Sequence, residues 1–221
     1  MKQKETVYLT EELLIGKGGR KDVYINPENP AQCIKINARD AGDHRVEMNY
    51  RRSRELRNLP PSGLMVSYFG TVETNLGTGY VFERIVDYDG MHSKTIEELI
   101  QLELQARRDN SSVKSILGTD KEYPRVMEVL LRFRKELFQD NIIIGDMWPY
   151  NYMVQFDTPS EWRVRIVDDF GTSSHIPIMY YIDYFGAKHV RRYWCKFIRR
   201  INSLYPELLT DDESSALMTI K

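Results

Sequence analysis

Apolar positions follow two different rhythms along this chain. Residues 7–36 and 66–86 carry short apolar runs broken by glycine, proline and asparagine, the pattern of strands and turns. From residue 95 onward the apolar spacing lengthens to that of helices. The first stretch predicts short strands at 7–9, 13–15 and 32–36. A hairpin is predicted from 66–74 and 79–86, joined by Asn75-Leu76-Gly77-Thr78. Between these runs, residues 43–59 read as a helix with Glu47, Arg51 and Glu55 at i, i+4 spacing and with Val46, Tyr50 and Leu56 as its inner face. Pro60-Pro61-Ser62-Gly63 ends it. Thr95 and Glu98 have capping-box spacing and open a helix that runs to about Asp109. A second amphipathic helix spans 123–138, and 152–154 with 162–167 form a short hairpin. Residues 187–203 read as a basic amphipathic helix. Val190, Trp194, Phe197, Ile198 and Ile201 lie on one face, and Lys188, Arg191, Lys196, Arg199 and Arg200 on the other. Thr210 and Glu213 set a last short helix.

Composition narrows the class. The 221 residues are 42% hydrophobic and 29% charged, enough apolar material for one ordinary core or two small lobes. A net charge of −1 gives no global attraction to nucleic acid or anionic membrane. No apolar run is long enough to span a bilayer, and the N-terminal residues lack a secretory apolar stretch. Cys33 and Cys195 stand far apart with no CxxC, which points to a reducing, cytoplasmic setting. The basic helix suits an acidic or lipid partner, although its apolar face reads more readily as core and its charges as solvated. Nothing else suggests nucleic acid.

The chemistry concentrates in two neighbouring segments. Ile144-Gly145-Asp146-Met147-Trp148-Pro149-Tyr150-Asn151 follows the end of a helix, and Val167-Asp168-Asp169-Phe170-Gly171 follows an apolar strand. Two carboxylates and an amide on adjacent loops are what phosphoryl transfer needs: one acid to orient a hydroxyl, the others to hold Mg²⁺ against phosphates. Upstream, Gly16, Gly18, Gly19 and Val23 form a glycine segment that is either a phosphate-covering loop or a plain hairpin turn. Arg20 and Lys21 there add positive charge over phosphates or are solvated. Lys35, inside Cys33-Ile34-Lys35-Ile36, is either an edge residue facing water or a cleft charge needing a partner. Glu47 is preferred to Glu55 as that partner, because Val46 and Met48 flank it.

Glycine segment, strand lysine, helix glutamate, Asp-x4-Asn and Asp-Phe-Gly occur here in the order found in protein kinases, and residues 14–171 resemble that family. The segments 26–36 and 70–81 are more narrowly similar to the YrbL family of bacterial PhoP regulatory network proteins. The kinase resemblance implies an α+β, protein-kinase-like bilobal fold. Its N-terminal lobe (1–86) would be antiparallel β, five-strand-like, with one helix. A hinge (87–90) and a small, mainly helical C-terminal lobe (91–221) would follow, with ATP in the cleft. Backbone around Gly16 to Gly19, with Val23, would cover the phosphates. Lys35 would contact the α- and β-phosphates and pair with Glu47. Phe82 would back the adenine pocket, and the Glu83 carbonyl and Ile85 backbone would bind adenine. Asp146 would orient the acceptor and take its proton, and Asn151 with Asp169 would ligate Mg²⁺. Asp168 competes with Asp169, since adjacent side chains in a strand point to opposite faces.

Several departures qualify the resemblance. Lys21 replaces the third glycine, and Ile144-Gly145 stands where His-Arg precedes the aspartate. Trp148 replaces a lysine, which implies weaker support for the transferring phosphate. Gly145-Asp146 is similar instead to small-molecule kinases, and about fifty residues after Gly171 leave no room for a peptide-substrate platform. The expectation is an ATP- and Mg²⁺-dependent phosphotransferase acting on a hydroxyl of a protein, small molecule or envelope sugar. The rivals are a pseudokinase regulator that binds nucleotide or a partner without turnover, and an enzyme of the same fold that transfers AMP.

Overall fold

The computed structural model describes residues 6–19, 21–37, 44–173 and 177–219. Arg20 and Asp43 lie outside them. The chain forms two compact units: Met1–Arg45 with Val66–Ile85, and Val46–Met65 with Val86–Lys221. Segment 46–65, which the sequence reading gave to the N-terminal part, therefore groups with the second unit.

The first unit is one five-stranded antiparallel sheet. Its strands are β1 (Leu14–Lys17), β2 (Lys21–Ile25), β3 (Gln32–Asn37), β4 (Tyr68–Thr74) and β5 (Gly77–Glu83), in the order β1-β2-β3-β5-β4. Strand alternation gives each face its own chemistry. Tyr24, Ile34, Ile36 and Val81 pack on one side with Val7 and Leu9. On the other, Lys35 lies opposite Tyr80, and Cys33 opposite Phe82. Residues 7–9 make a parallel bridge from Val7 to Thr74 instead of a full strand. Their anchor is Asn75 at the hairpin tip. Its Oδ1 accepts from Leu9 N (2.7 Å) and its Nδ2 donates to Leu9 O (3.1 Å).

The second unit is α+β. Helix α1 (Arg45–Leu56) starts at the unit boundary and belongs to the second unit from Val46 onward. It is followed by strand β6 (Lys94–Thr95), α2 (Ile96–Arg108), α3 (Val113–Leu117) and α4 (Val126–Gln139). Strands β7 (Tyr152–Phe156) and β8 (Trp162–Ile166) and helices α5 (Asp183–Leu204) and α6 (Asp211–Met218) complete it. The strands make an antiparallel sheet, β6-β7-β8. Both predicted capping boxes form, Thr95 with Glu98 and Thr210 with Glu213. Helix α4 begins three residues later than predicted, because Pro124 supplies no backbone N–H and disfavours helix in the residue before it. The apolar face of α5 is core: Trp194, Phe197, Ile198 and Ile201 have no exposure, and Trp194 Nε1 donates to Leu217 O in α6 (2.9 Å). Lys188, Arg191, Lys196 and Arg199 are exposed.

The inner face predicted for α1 holds at Tyr50, which is buried, and is corrected at Val46 and Leu56, which are exposed; Glu47, Ser53 and Arg54 are buried instead. A polar face is tolerable there because its Ser53 hydroxyl and Arg54 guanidinium are bonded. Ser53 Oγ donates to Tyr50 O, and Arg54 reaches Asp140 O and Pro60 O. Tyr50 Oη accepts from Ile143 N at 2.9 Å, which fixes the helix to the chain entering the 144–151 loop.

Candidate functional site

The β7–β8 hairpin brings the two chemistry-bearing loops together. Tyr152 pairs with Ile166, so the residues just before β7 and just after β8 are neighbours. Val167 N donates to Asn151 O (3.0 Å), and Asn151 Nδ2 donates to Asp169 Oδ2 at 2.7 Å. Asn151 is 6% exposed. A second set of backbone bonds ties the loops further upstream. Gly145 N donates to Asp169 O (2.8 Å), Gly171 N donates to Ile143 O (2.9 Å), and Ile144 bridges Phe170. This close pairing explains Gly145: a Cβ there would lie 2.9 Å from the Gly171 carbonyl oxygen. Gly171 itself has φ +89°.

Strand alternation does not decide between Asp168 and Asp169, because β8 ends at Ile166 and Asp169 is left-handed, with φ 65°. Asp168 Oδ1 accepts from the Asp169 backbone N–H (2.9 Å), whereas Asp169 reaches Asn151. In this structure the Asn151 amide nitrogen faces the Asp169 carboxylate; the two side chains carry, in Asn151 Oδ1 and the Asp169 carboxylate, hard oxygen donors of the kind Mg²⁺ takes when phosphates and waters complete its shell, so their donor chemistry fits that ion. Among the described residues, no three His, Cys, Asp or Glu side chains form a self-sufficient metal cage.

Asp146 projects from the same loop and is held from three sides. Its Oδ1 accepts from Met147 N (2.9 Å) and from Arg200 Nη1 (2.9 Å), and its Oδ2 accepts from Trp148 Nε1 (2.7 Å). Partial burial pushes this carboxyl up, but the Arg200 and Trp148 hydrogen bonds outweigh it and hold it below the usual carboxylate range. Arg200 Nη1 also donates to Met147 O, and its guanidinium stacks over the Trp148 ring, 3.7 Å from the centroid. The sequence reading placed Arg200 among the solvated charges of α5. That is corrected: it faces the 144–151 loop. The one available signal was its place beside Ile201 and three residues after Phe197, at the edge of the apolar stripe. His189, also from α5, contacts Ile144 O through Nε2 (2.9 Å). A carbonyl only accepts, so that nitrogen carries the proton.

The other predicted residues are distributed as follows. In the first unit, Lys35 is 5% exposed and its Nζ lies 4.5 Å from the centre of the buried Phe82 ring, so it does not project into water. Gly16 and Val23 pair across β1 and β2, and Gly18 N donates to Lys21 O (2.9 Å), closing the turn. Gly19 has open space around it. Glu83 accepts from Ser67 N, its carbonyl receives the Cys33 thiol, and Ile85 is buried. In the second unit, Glu47 is buried and bonds Arg51 at 2.8 Å, while Glu55 is exposed. Arg51 in turn lies 5.0 Å from the Phe170 ring centre. The cysteines are free, Cys33 buried and Cys195 half-buried. No helix among the described residues is long and apolar enough to cross a membrane.

The model of the PhoP regulatory network protein YrbL family matches residues 7–202. The chain belongs to the YrbL family. It is 29% identical over 202 residues to the uncharacterized protein YrbL of Escherichia coli (strain K12), covering 87% of this chain and 86% of that one. The uncharacterized protein YrbL of Shigella flexneri matches to the same extent. The YrbL match takes in every residue of both loops and extends through Arg200.

Proposed function

We propose that this YrbL-family chain is an ATP- and Mg²⁺-dependent, kinase-like phosphotransferase acting on a hydroxyl acceptor. The observation that carries the reading is the 2.7 Å contact of Asn151 with Asp169, beside an Asp146 held ionised by its neighbours. Asn151 and Asp169 would hold the metal, which when bound would supply charge neutralisation of the phosphates. Lys35 and the backbone of Gly16, Gly18 and Gly19 are assigned to the phosphates, with Val23, Phe82, Glu83 and Ile85 on the base side. Asp146 accepts a hydrogen bond from the acceptor hydroxyl and orients its oxygen toward the γ-phosphorus. As the new O–P bond forms, the bond to the β,γ-bridging oxygen breaks. ADP departs, and the acceptor proton passes to Asp146 and on to water. A depressed carboxyl is a weak base, which suits a reaction dominated by positioning and charge neutralisation.

The test is incubation of the wild-type chain and Asp146→Ala with ATP and Mg²⁺, following ADP release and intact mass. Asp146→Ala is expected to lose about 10²-fold or more of the turnover, the scale of a lost acid–base group. Equal rates in both proteins remove Asp146 from the chemistry. An added mass near that of a nucleotide instead of a phosphate assigns AMP transfer.

A second reading is favoured by the sequence departures: Lys21 stands in place of the third glycine, and Ile144-Gly145 in place of His-Arg before Asp146. On that reading the chain would act as a pseudokinase, binding nucleotide to regulate a partner. Mg²⁺-dependent ATP binding with no ADP released would decide for it.

A further inference from the structure

Arg200 presents two different edges. One, through Nη1, is spent on Asp146 Oδ1 and Met147 O. Among the described residues, Nε and Nη2 have no protein acceptor, and the side chain is 29% exposed. The guanidinium plane rests on the Trp148 indole, and Trp148 stacks in turn on Tyr150, with centroids 5.6 Å apart and planes 15° from parallel. Tyr150 is 48% exposed. Aromatic stacking and the bonds to the loop fix the fork before any ligand arrives, so little entropy remains to be lost on binding.

The surroundings set the ligand's chemistry. A forked guanidinium matches the two oxygens of a phosphate or carboxylate. The stacked Trp148 and Tyr150 rings beside it present their edges and the half-exposed Tyr150 ring, an apolar surface that suits a sugar-like ring. The carboxylate on the other side of the fork is Asp146, to which the acceptor hydroxyl is assigned above. We propose that Arg200, Trp148 and Tyr150 form an acceptor subsite for a hydroxyl-bearing ring compound that also carries a phosphate or carboxylate group. The anion binds the outer edge of Arg200 and the ring lies along the edge of the Trp148–Tyr150 stack. A hydroxyl is thereby delivered to Asp146. This rests on the phosphotransferase reading for its meaning, but the binding itself does not require turnover.

The experiment titrates the full-length chain with glucose 6-phosphate, glucuronate, glucose and inorganic phosphate, without nucleotide. It follows the indole N–H resonance of Trp148, assigned by its loss in Trp148→Phe. One or both anionic sugars are expected to shift that resonance at concentrations up to about 10 mM, a range that captures weak single-subsite binding. Whichever of the two does so names the anionic group. Arg200→Gln is expected to weaken that binding at least about tenfold, the scale of a lost hydrogen bond to a charged group. Arg200→Lys should recover only part of it, because the fork is gone. Tyr150→Ala leaves the Arg200–Asp146 bond in place and should also weaken the sugars, with little effect on inorganic phosphate. No shift with either anionic sugar, or equal shifts with glucose and glucose 6-phosphate, overturns the subsite. So does anion binding unchanged in Arg200→Gln. ATP turnover measured alongside separates the two ideas. Turnover without Arg200-dependent binding sinks the subsite alone, and binding without turnover sinks the enzyme while leaving the anion site standing.

Discussion

Lys121 Nζ lies 2.7 Å from Asp87 Oδ2, with the two side chains only 4% and 1% exposed. Asp87 also accepts from the Ser93 hydroxyl and from Phe156 N, and Asp89 provides Lys121 with a second carboxylate at 2.9 Å. The loop predicted as a hinge at 87–90 is thus pinned at its first residue to the β7–β8 hairpin that carries Asn151 into place. Burying two charges is unfavourable unless every lone pair and proton is used, and here the surrounding donors use them.

Removing Lys121 leaves the Asp87 carboxylate buried without a countercharge, whereas Asp89 would still face Lys121 if Asp87 were removed. Lys121→Met is expected to lower unfolding stability by about 3–5 kcal/mol, read as a shift in the urea midpoint. Replacing both residues together, with Asn at 87 to keep an acceptor for Ser93 and Phe156 and Met at 121, should recover much of the loss. A single-mutant effect of a few tenths of a kcal/mol would mean that water reaches the site.

Much of this second unit was legible from residue pattern alone. The capping boxes at Thr95 and Thr210, the hairpin at 152–166 and the meeting of Asn151 with Asp169 all follow from local rules of spacing and turn chemistry. What the pattern missed depends on tertiary position. Glu47, Ser53 and Arg54 are polar and buried, so an apolar count turned α1 the wrong way. The five-residue α3 is too short to show a period. Arg200 is read as solvent-facing until the 144–151 loop is placed against α5, because 54 residues separate it from Asp146.

Gly145 gives a sharper test of the loop pairing. Gly145→Ala puts a methyl 2.9 Å from the Gly171 carbonyl oxygen, which is backbone and has little freedom to yield. Forcing the loops apart is expected to cost about 1–3 kcal/mol in thermal or urea denaturation and to abolish Mg²⁺-dependent nucleotide binding. A variant that binds Mg²⁺ and ATP normally would show that the close approach is dispensable.

The Asp146 environment predicts a pH dependence. Its folded-state carboxyl is depressed, so it stays ionised as pH falls through the ordinary carboxylate range and is protonated only below it. Any phosphate-transfer activity should therefore keep its plateau into mild acid. In Arg200→Gln the main donor is gone, the carboxyl rises, and the acid limb moves to higher pH. Superimposable profiles for the two proteins would rule out that electrostatic role.

His189 carries the opposite chemistry to a stability change. Burial pushes its imidazole down, the Ile144 hydrogen bond opposes this, and Arg192 and Lys196 add to the depression. The unfolded chain then takes up a proton before the folded one, so stability falls as pH drops below the ordinary histidine range. The slope is up to about 1.4 kcal/mol per pH unit for one linked proton. His189→Gln, whose amide can still donate to Ile144 O, should flatten that portion of a melting-temperature profile between about pH 7 and 5. An unchanged slope would assign the effect to another group.

His189 and Arg200 are eleven residues apart on α5, close to three whole turns, so both reach out in nearly the same direction. The loop bearing Asp146 is gripped twice by one rigid rod. Rotating that rod by a single residue would swing both grips about a hundred degrees away together. The two contacts are therefore geometrically coupled: a rotation of α5 that broke one would break the other, so the setting of this helix fixes the surroundings of the carboxylate.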